Sequence, residues 1–176
     1  MNFLELAKSR YSCRSMDGTR GVEQEKIQTI LEAARLAPTG SNLQRQRIRV
    51  VNSPAGLAKM RECTPCHYNA PMVLVLTFEL EMKGLGMEVP EELEKEVGNI
   101  DIGIVAAHIC LQAKELGLET VIAGSFDARK VREAFQIPDS QETALIIPIG
   151  YADEKGKAPD PMHKKRIPLE EMVQWF

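Results

Sequence analysis

The sequence predicts one domain of mixed helices and strands, and three observations carry that prediction. A chain of 176 residues suits a single hydrophobic core, and no Gly/Ser-rich linker or internal repeat divides it. The composition is that of an ordinary globular protein, with 44% hydrophobic and 27% charged residues. Stretches of helical period alternate with short runs rich in β-branched residues.

The elements follow in chain order. In "EQEKIQTILEAARLAP", Ile27, Ile30, Leu31 and Ala34 fall on one helical face, and Pro38 ends the helix. "IRVVN" and "MVLVLTF" have strand length, and the second is apolar enough to be buried on both faces. From Asn99 to Gly117, the residues Ile102, Val105, Ala106, Ile109, Ala113 and Leu116 recur at helical spacing, which predicts a central helix stopped by Gly117. "ETVIAG" reads as a strand, "DARKVREAF" as a helix capped by Asp127, and "TALIIPIGY" as a second buried strand. Beyond Tyr151 the chain turns polar and Pro-rich, yet its last residues include Met172, Val173, Trp175 and Phe176. Such apolar residues predict that the segment docks on something.

Several functions are disfavoured. A net charge of -3 argues against a nucleic-acid footprint. The longest apolar run, "APMVLVLTF", is too short to cross a bilayer, and an acidic residue interrupts "MNFLELAKSR" where a signal peptide needs an apolar run, so no membrane role and a cytoplasmic location are expected. Cys13, Cys63, Cys66 and Cys110 are too scattered for a disulfide scaffold and read as thiols. Dinucleotide, Walker, metalloprotease and nucleophile-elbow motifs are absent, and the isolated His108 makes no metal site.

Three stretches can carry chemistry. "CTPC", residues 63–66, has the spacing of a redox pair or half a zinc site, but it precedes a strand and has no second pair. A structural role is expected, with proximity to a redox centre as the alternative. In "LAPTGSNLQRQR" the turn after the helix exposes the carboxamides of Asn42 and Gln44, which donate and accept at once and so suit the edge of a heterocycle; the alternative is an ordinary polar turn. "SRYSCR" places Arg10, Ser12 and Arg14 together, and "HKKRIP" adds Lys164 and Arg166. Arg10, Ser12, Lys164 and Arg166 suit a common phosphate dianion, against the alternative of a solvated helix end. If the stretch is helical, Arg14 shares a face with Arg10 and reaches another part of the same ligand.

Together "SRYSCRSMDG", "ILEAARLAPTGSNLQ", "DIGIVAAHICLQAKELGLETVIAGSFD" and "KKRIPLEEMV" resemble the FMN-dependent nitroreductase family, in order and across nearly the whole chain, most weakly from Glu79 to Val97. The resemblance implies an α+β fold, with a mixed central sheet flanked by helices, in an intertwined homodimer with FMN at the interface. Residues 1–176 would form one FMN-binding domain, with 152–176 a C-terminal extension docking on the partner chain. Carried over by position, Arg10 and Ser12, with Tyr11 between them, would hold the phosphate together with Lys164 and Arg166, while Arg14 would face the pyrimidine end of the ring. Pro38, Thr39, Gly40, Asn42 and Gln44 would reach the flavin from the partner chain, and the backbone amides of Ala123 and Gly124 would contact it near N5 and O4. "CTPCHYN" would lie near the pyrimidine side. No side chain serves as nucleophile; Arg14 is an electrostatic stabiliser.

The activity implied is transfer of electrons from NAD(P)H, through the flavin, to a nitro compound, quinone or similar small acceptor. Reductive dehalogenation, flavin destruction or a non-catalytic flavin or thiol sensor are the alternatives. Two departures from the family pattern stand out: Arg45 and Gln46 follow Gln44 where Pro-Trp is common, and the short connection between "MVLVLTF" and the long helix implies a small lid over an open site.

Overall fold

The computed structural model describes residues 2–81 and 90–176. The expected small lid falls mainly on residues 82–89, outside the described residues. Helix α1 (Phe3–Ser9) opens with a reciprocal capping box between Asn2 and Glu5. Helix α2 (Gln24–Arg35) ends just before Pro38, as its periodicity predicts. After the turn Gly40–Asn42 come strand β1 (Gln46–Val51), helix α3 (Pro54–Cys63) and strand β2 (Met72–Glu79). Helix α4 (Glu91–Glu115) leads to strand β3 (Glu119–Thr120), helix α5 (Ala128–Ala134) and strand β4 (Gln141–Gly150). The turn Pro161–Lys164 and helix α6 (Leu169–Met172) complete the described elements.

The strands lie in the order β1-β2-β4-β3, and each neighbouring pair is antiparallel. Among the described residues the parallel pairing is an isolated bridge, Ser12 with Thr120, at the β3 edge. Period-two alternation along β2 divides the core. Met72, Leu74, Leu76 and Phe78 pack under α2 and α4 with Ile102, Val105 and Ile109, while Val73 and Val75 face Met60, Val131 and the N-terminal segment. The sheet is therefore covered on both faces, which is why β2 lacks polar alternation.

Phe78 and Gly98 fix the approach of α4 to the sheet. A Cβ at Gly98 would stand 2.2 Å from the Phe78 ring, so only glycine lets the helix sit this close. Helix α4 starts earlier than its apolar period predicts, because its first turns follow Pro90 and are acidic (Glu91, Glu92, Glu94). Acidic residues favour a helix N-terminus without marking a buried face. The expected strand "ETVIAG" is regular only at Glu119–Thr120. Opposite it in β4 stands Pro148, which has no N–H to give, and the ladder thins to the bonds of Val121 with Pro148 and of Ala123 with Ile146.

Candidate functional site

Helix α1 stops at Arg10, whose backbone is extended (φ -71°, ψ 129°). From there the chain runs as a non-helical segment tied down by isolated bridges at Ser12 and Met16, so the conditional helical reading of Arg10 to Arg14 does not hold. The arginines still share a face, for a different reason: positions two apart point the same way in extended backbone. Tyr11, Cys13 and Met16 are buried, while Arg10 and Ser12 are half-exposed and Arg14 is exposed. A backbone bond from Cys13 to the Thr120 carbonyl, 3.0 Å, fixes this register.

The extension beyond Tyr151 begins by packing on the N-terminal segment of its own chain. Met16 pairs with Ala152, and the Ser15 hydroxyl donates to Asp153 Oδ2 at 2.6 Å. Asp153 also accepts from the Gly156 amide at 2.8 Å, and these bonds, Ser15 foremost, hold its carboxyl below the usual range. The Tyr11 hydroxyl donates to the Gly156 carbonyl at 2.9 Å. A Cβ at Gly156 would lie 2.0 Å from the Ser15 carbonyl oxygen, so a side chain there would lift the segment off. Asp160 accepts from the Met162 amide at 2.8 Å, which caps the turn Pro161–Lys164, and its other oxygen lies 3.7 Å from Arg14.

Between these segments lies a cavity of about 210 Å³ lined by Arg10, Tyr11, Ser12, Arg14, Asp160, Met162, His163 and Arg166. The guanidinium groups of Arg10 and Arg166 and the Ser12 hydroxyl form a donor set matched to a phosphate monoester, while Arg14 faces the one carboxylate of the lining, Asp160. Sequence reasoning brought Arg10, Ser12, Arg14 and Arg166 here. Lys164 instead lines an adjoining cavity of about 390 Å³ with Ala7, Lys8, His163 and Arg166. Tyr11 presents its body to the cavity while its buried hydroxyl is held by Gly156, and burial above all pushes its ionisation up to about 12. Asp160, Met162 and His163 were missed; only the place of His163 next to Lys164 could have pointed to it.

The remaining candidates lie elsewhere in the protomer. Pro38, Gly40, Asn42 and Gln44 are exposed, and the turn is braced by the Gly40 amide donating to buried Asp101 at 2.8 Å and the Gln44 amide donating to Thr39 Oγ1 at 3.1 Å. Asn42 and Gln44 take positive φ in this tight turn, and the Gln44 carboxamide donates back to the Asn42 carbonyl at 3.3 Å. None of this turn lines the Arg10 cavity. Ala123 requires a correction: its amide donates to the Ile146 carbonyl at 3.0 Å and is turned into the sheet. Gly124, next in the chain, is exposed and is the one of the two whose amide has no backbone partner among the described residues.

Arg45, which departs from the family pattern, is buried. Its guanidinium donates to the carbonyls of Glu79, Leu80 and Glu94 at 2.9–3.0 Å and so joins the two ends of the connection between β2 and α4. The loop carrying Cys63 and Cys66 is pinned by Thr64, whose hydroxyl donates to the Ser125 carbonyl at 2.6 Å, and by the Asp127 amide, which donates to the Cys63 carbonyl at 2.9 Å. Cys63 is buried, and burial pushes its thiol up. Cys66 is half-exposed and hydrogen-bonds Tyr68; that bond raises the phenol, while Arg14 nearby pulls it down. The loop thus touches both Arg14 and the segment after Gly124.

Known proteins share this sequence pattern and this fold. The sequence profile of the nitroreductase family matches residues 7–67 and 63–151. A nitroreductase family protein of Clostridium difficile 630 is 36% identical, with a TM-score of 0.84 over 99% of this chain and 98% of its own. An NADH dehydrogenase of Thermus thermophilus is 30% identical over 182 residues, covering 88% of this chain and 86% of its own length. A protein of Exiguobacterium sibiricum solved in complex with FMN has the same fold, with a TM-score of 0.88 over 100% of this chain and 98% of its own at 23% identity. Profile, sequence and fold coincide over almost the entire chain: it belongs to the nitroreductase family.

Proposed function

We propose that this protein is an FMN-dependent oxidoreductase that uses NAD(P)H to reduce a nitro compound, quinone or similar small acceptor. The observation that carries the reading is the cavity where Arg10, Ser12, Arg14 and Arg166 converge from opposite ends of the chain. At about 210 Å³ it is too small for a whole flavin, since pockets for such ligands run to roughly 300–1,000 Å³. It fits the phosphate of FMN and leaves the ring to be held by other surfaces. The exposed turn Pro38–Gln44, supplied by the partner of a homodimer, completes the reading.

Bound FMN would supply the redox chemistry, taking two electrons from NAD(P)H and delivering them to the acceptor in a ping-pong cycle. Everything else is positioning. Arg10, Ser12 and Arg166 hold the phosphate dianion by charge-assisted hydrogen bonds, with Lys164 alongside. Arg14, near Asp160 and Tyr68, would supply a cation to stabilise the negative charge that the flavin gains on reduction. The exposed Gly124 amide would be available as a donor to the ring, and Asn42 and Gln44 would contribute from the partner's turn. The NADH dehydrogenase and the NADPH-dependent oxidoreductase of Staphylococcus haemolyticus, the latter 25% identical over 180 residues, support a nicotinamide reductant. A thiol sensor is disfavoured, because the buried Cys63 has its thiol pushed up rather than activated.

The test is the purified protein itself. It should be yellow, release FMN rather than FAD on denaturation, and oxidise NADH or NADPH when a quinone or nitroaromatic is supplied. A colourless protein that takes up no added FMN would refute the reading.

A further inference from the structure

His163 lines the cavity of Arg10, Ser12, Arg14 and Arg166 and also the adjoining one of Lys8 and Lys164. Two contacts orient its ring. Nε2 lies 3.1 Å from the Lys8 carbonyl oxygen, and the ring meets that of Tyr11 edge-on, with 6.1 Å between centroids and 66° between planes. A carbonyl can only accept, so this contact is a hydrogen bond when Nε2 carries a proton, which leaves Nδ1 as the ring's second hydrogen-bonding atom. Tyr11 stays a neutral neighbour throughout, since its ionisation is pushed up to about 12.

The charged groups around the imidazole come from every element packed there. The N-terminal segment supplies Arg10 and Arg14, α1 supplies Lys8, and the C-terminal segment supplies Asp160, Lys164 and Arg166. Behind Tyr11 stand Lys114, 4.9 Å from the ring centroid, and Glu119, which is ion-paired with Lys114. Asp160 already faces Arg14. The cavity is thus cationic whatever the state of the histidine, and an additional charge there is stabilised only when a dianion shares the site.

We propose that His163 is a further ligand of the bound phosphate, engaged in its doubly protonated form, so that the cavity takes up a proton together with its dianionic ligand. The inference rests on the FMN reading and deepens it. Its sign is fixed by linkage: a ligand that prefers the charged imidazole binds more tightly as pH falls through the histidine range. The trend ends near pH 6, where a phosphate monoester takes up its own second proton.

The experiment compares wild-type protein with His163→Gln, whose amide can still donate to the Lys8 carbonyl but cannot titrate. FMN dissociation constants are read from flavin fluorescence between pH 6 and 8.5, with riboflavin as the arm that lacks a phosphate. At pH 6.5 the wild type should bind FMN roughly five- to tenfold more tightly than the variant, the gap closing to within about twofold at pH 8.5. Riboflavin should not distinguish the two proteins at any pH. A gap that is independent of pH, or no gap, overturns the inference and leaves His163 a brace for the C-terminal segment. Calorimetry on the wild type alone, in buffers of different ionisation enthalpy at pH 7, supplies a reading that needs no variant. Net proton uptake with FMN but not riboflavin supports the proposal; release with FMN overturns it. Failure of wild-type protein to bind FMN at every pH overturns the functional reading and the inference with it.

Discussion

Arg14 differs from its neighbours in what surrounds it. It is exposed, faces Asp160 at 3.7 Å and approaches Tyr68, whereas Arg10 and Arg166 border the cavity without a carboxylate ion-pair partner among the described residues. Arg14→Met should therefore leave the phosphate grip intact and make bound FMN harder to reduce. A hydrogen bond to a charged group contributes about 1.5–3 kcal/mol, and roughly 30 mV corresponds to 1.4 kcal/mol for a two-electron couple. The midpoint potential should fall by about 30–60 mV, nearer the lower figure because Asp160 and solvent already screen the charge. An unchanged or higher potential with flavin still bound would place Arg14 away from the ring. The cysteines invite a second test. Cys63 lies at the C-terminal end of α3, where the helix dipole disfavours a thiolate, and it is buried, as are Cys13 and Cys110. A small alkylating reagent at neutral pH should modify Cys66 well before the others, and Cys63→Ser with Cys66→Ser should keep NAD(P)H-driven reduction within about threefold, as expected when a flavin carries the electrons. Uniform labelling, or a much larger fall with FMN still bound, would return the pair to the catalytic cycle. Charge clustering made Arg10, Ser12, Arg14 and Arg166 legible in the sequence. Asp160 and Tyr68 were not, because their roles depend on chain segments far apart, and no local pattern separates the amide of Ala123 from that of Gly124.

Among the elements, those with a buried face were readable and those held by caps or edges were not. β2, β4, α2 and the core of α4 carry apolar periods because they bury continuous surface. α3 has weak amphipathicity, and its signals are local: Ser53 accepts from the Gly56 amide at 3.1 Å and Pro54 opens the helix. The N-terminal strand-like segment, residues 10–16, escaped because its isolated bridges and backbone bonds are made with Thr120 and Tyr68, far along the chain. The clasp between that segment and residues 152–156 is the element on which the cavity depends, and Gly156 is its closest approach. Gly156→Ala would press a methyl group against the Ser15 carbonyl, which backbone can relieve only by moving the segment that leads to His163 and Arg166. We expect FMN affinity to fall by more than about tenfold, with overpacking of this kind costing roughly 1–3 kcal/mol. The loss should appear in flavin titrations with FMN and be small with riboflavin. Equal losses for both ligands would show general unfolding, and unchanged FMN binding would mean that the clasp does not position the cavity.

For the whole molecule, the apolar residues left on the surface are as informative as the core. Leu169, Met172, Trp175 and Phe176 are largely exposed in the protomer, with Trp175 at 92%, and Leu36 and Ile100 are exposed on the helical side. The sequence made the first group conspicuous through its aromatic residues; the second was hidden inside helical periods that read as core. Burying Trp175 and Phe176 against a partner contributes roughly 3–6 kcal/mol per arm, or about 6–12 for two arms. Association costs about 4–15 kcal/mol, so losing a contribution of this size would shift the balance strongly toward monomer. Removing residues 169–176 while keeping Arg166 should therefore yield a monomer in sedimentation experiments. On the proposed homodimer, that monomer would retain the cavity of Arg10 and Arg166 but lose a partner's Pro38–Gln44 turn, so it should bind FMN weakly. Cutting after Pro161 removes His163, Lys164 and Arg166 as well, and should abolish FMN binding. The order of the two truncations is the discriminating result. A chain ending at Pro168 that stays dimeric and fully yellow would mean that the arms do not hold the dimer. Equal loss of flavin from both truncations would mean that the basic cluster adds nothing once the partner is gone.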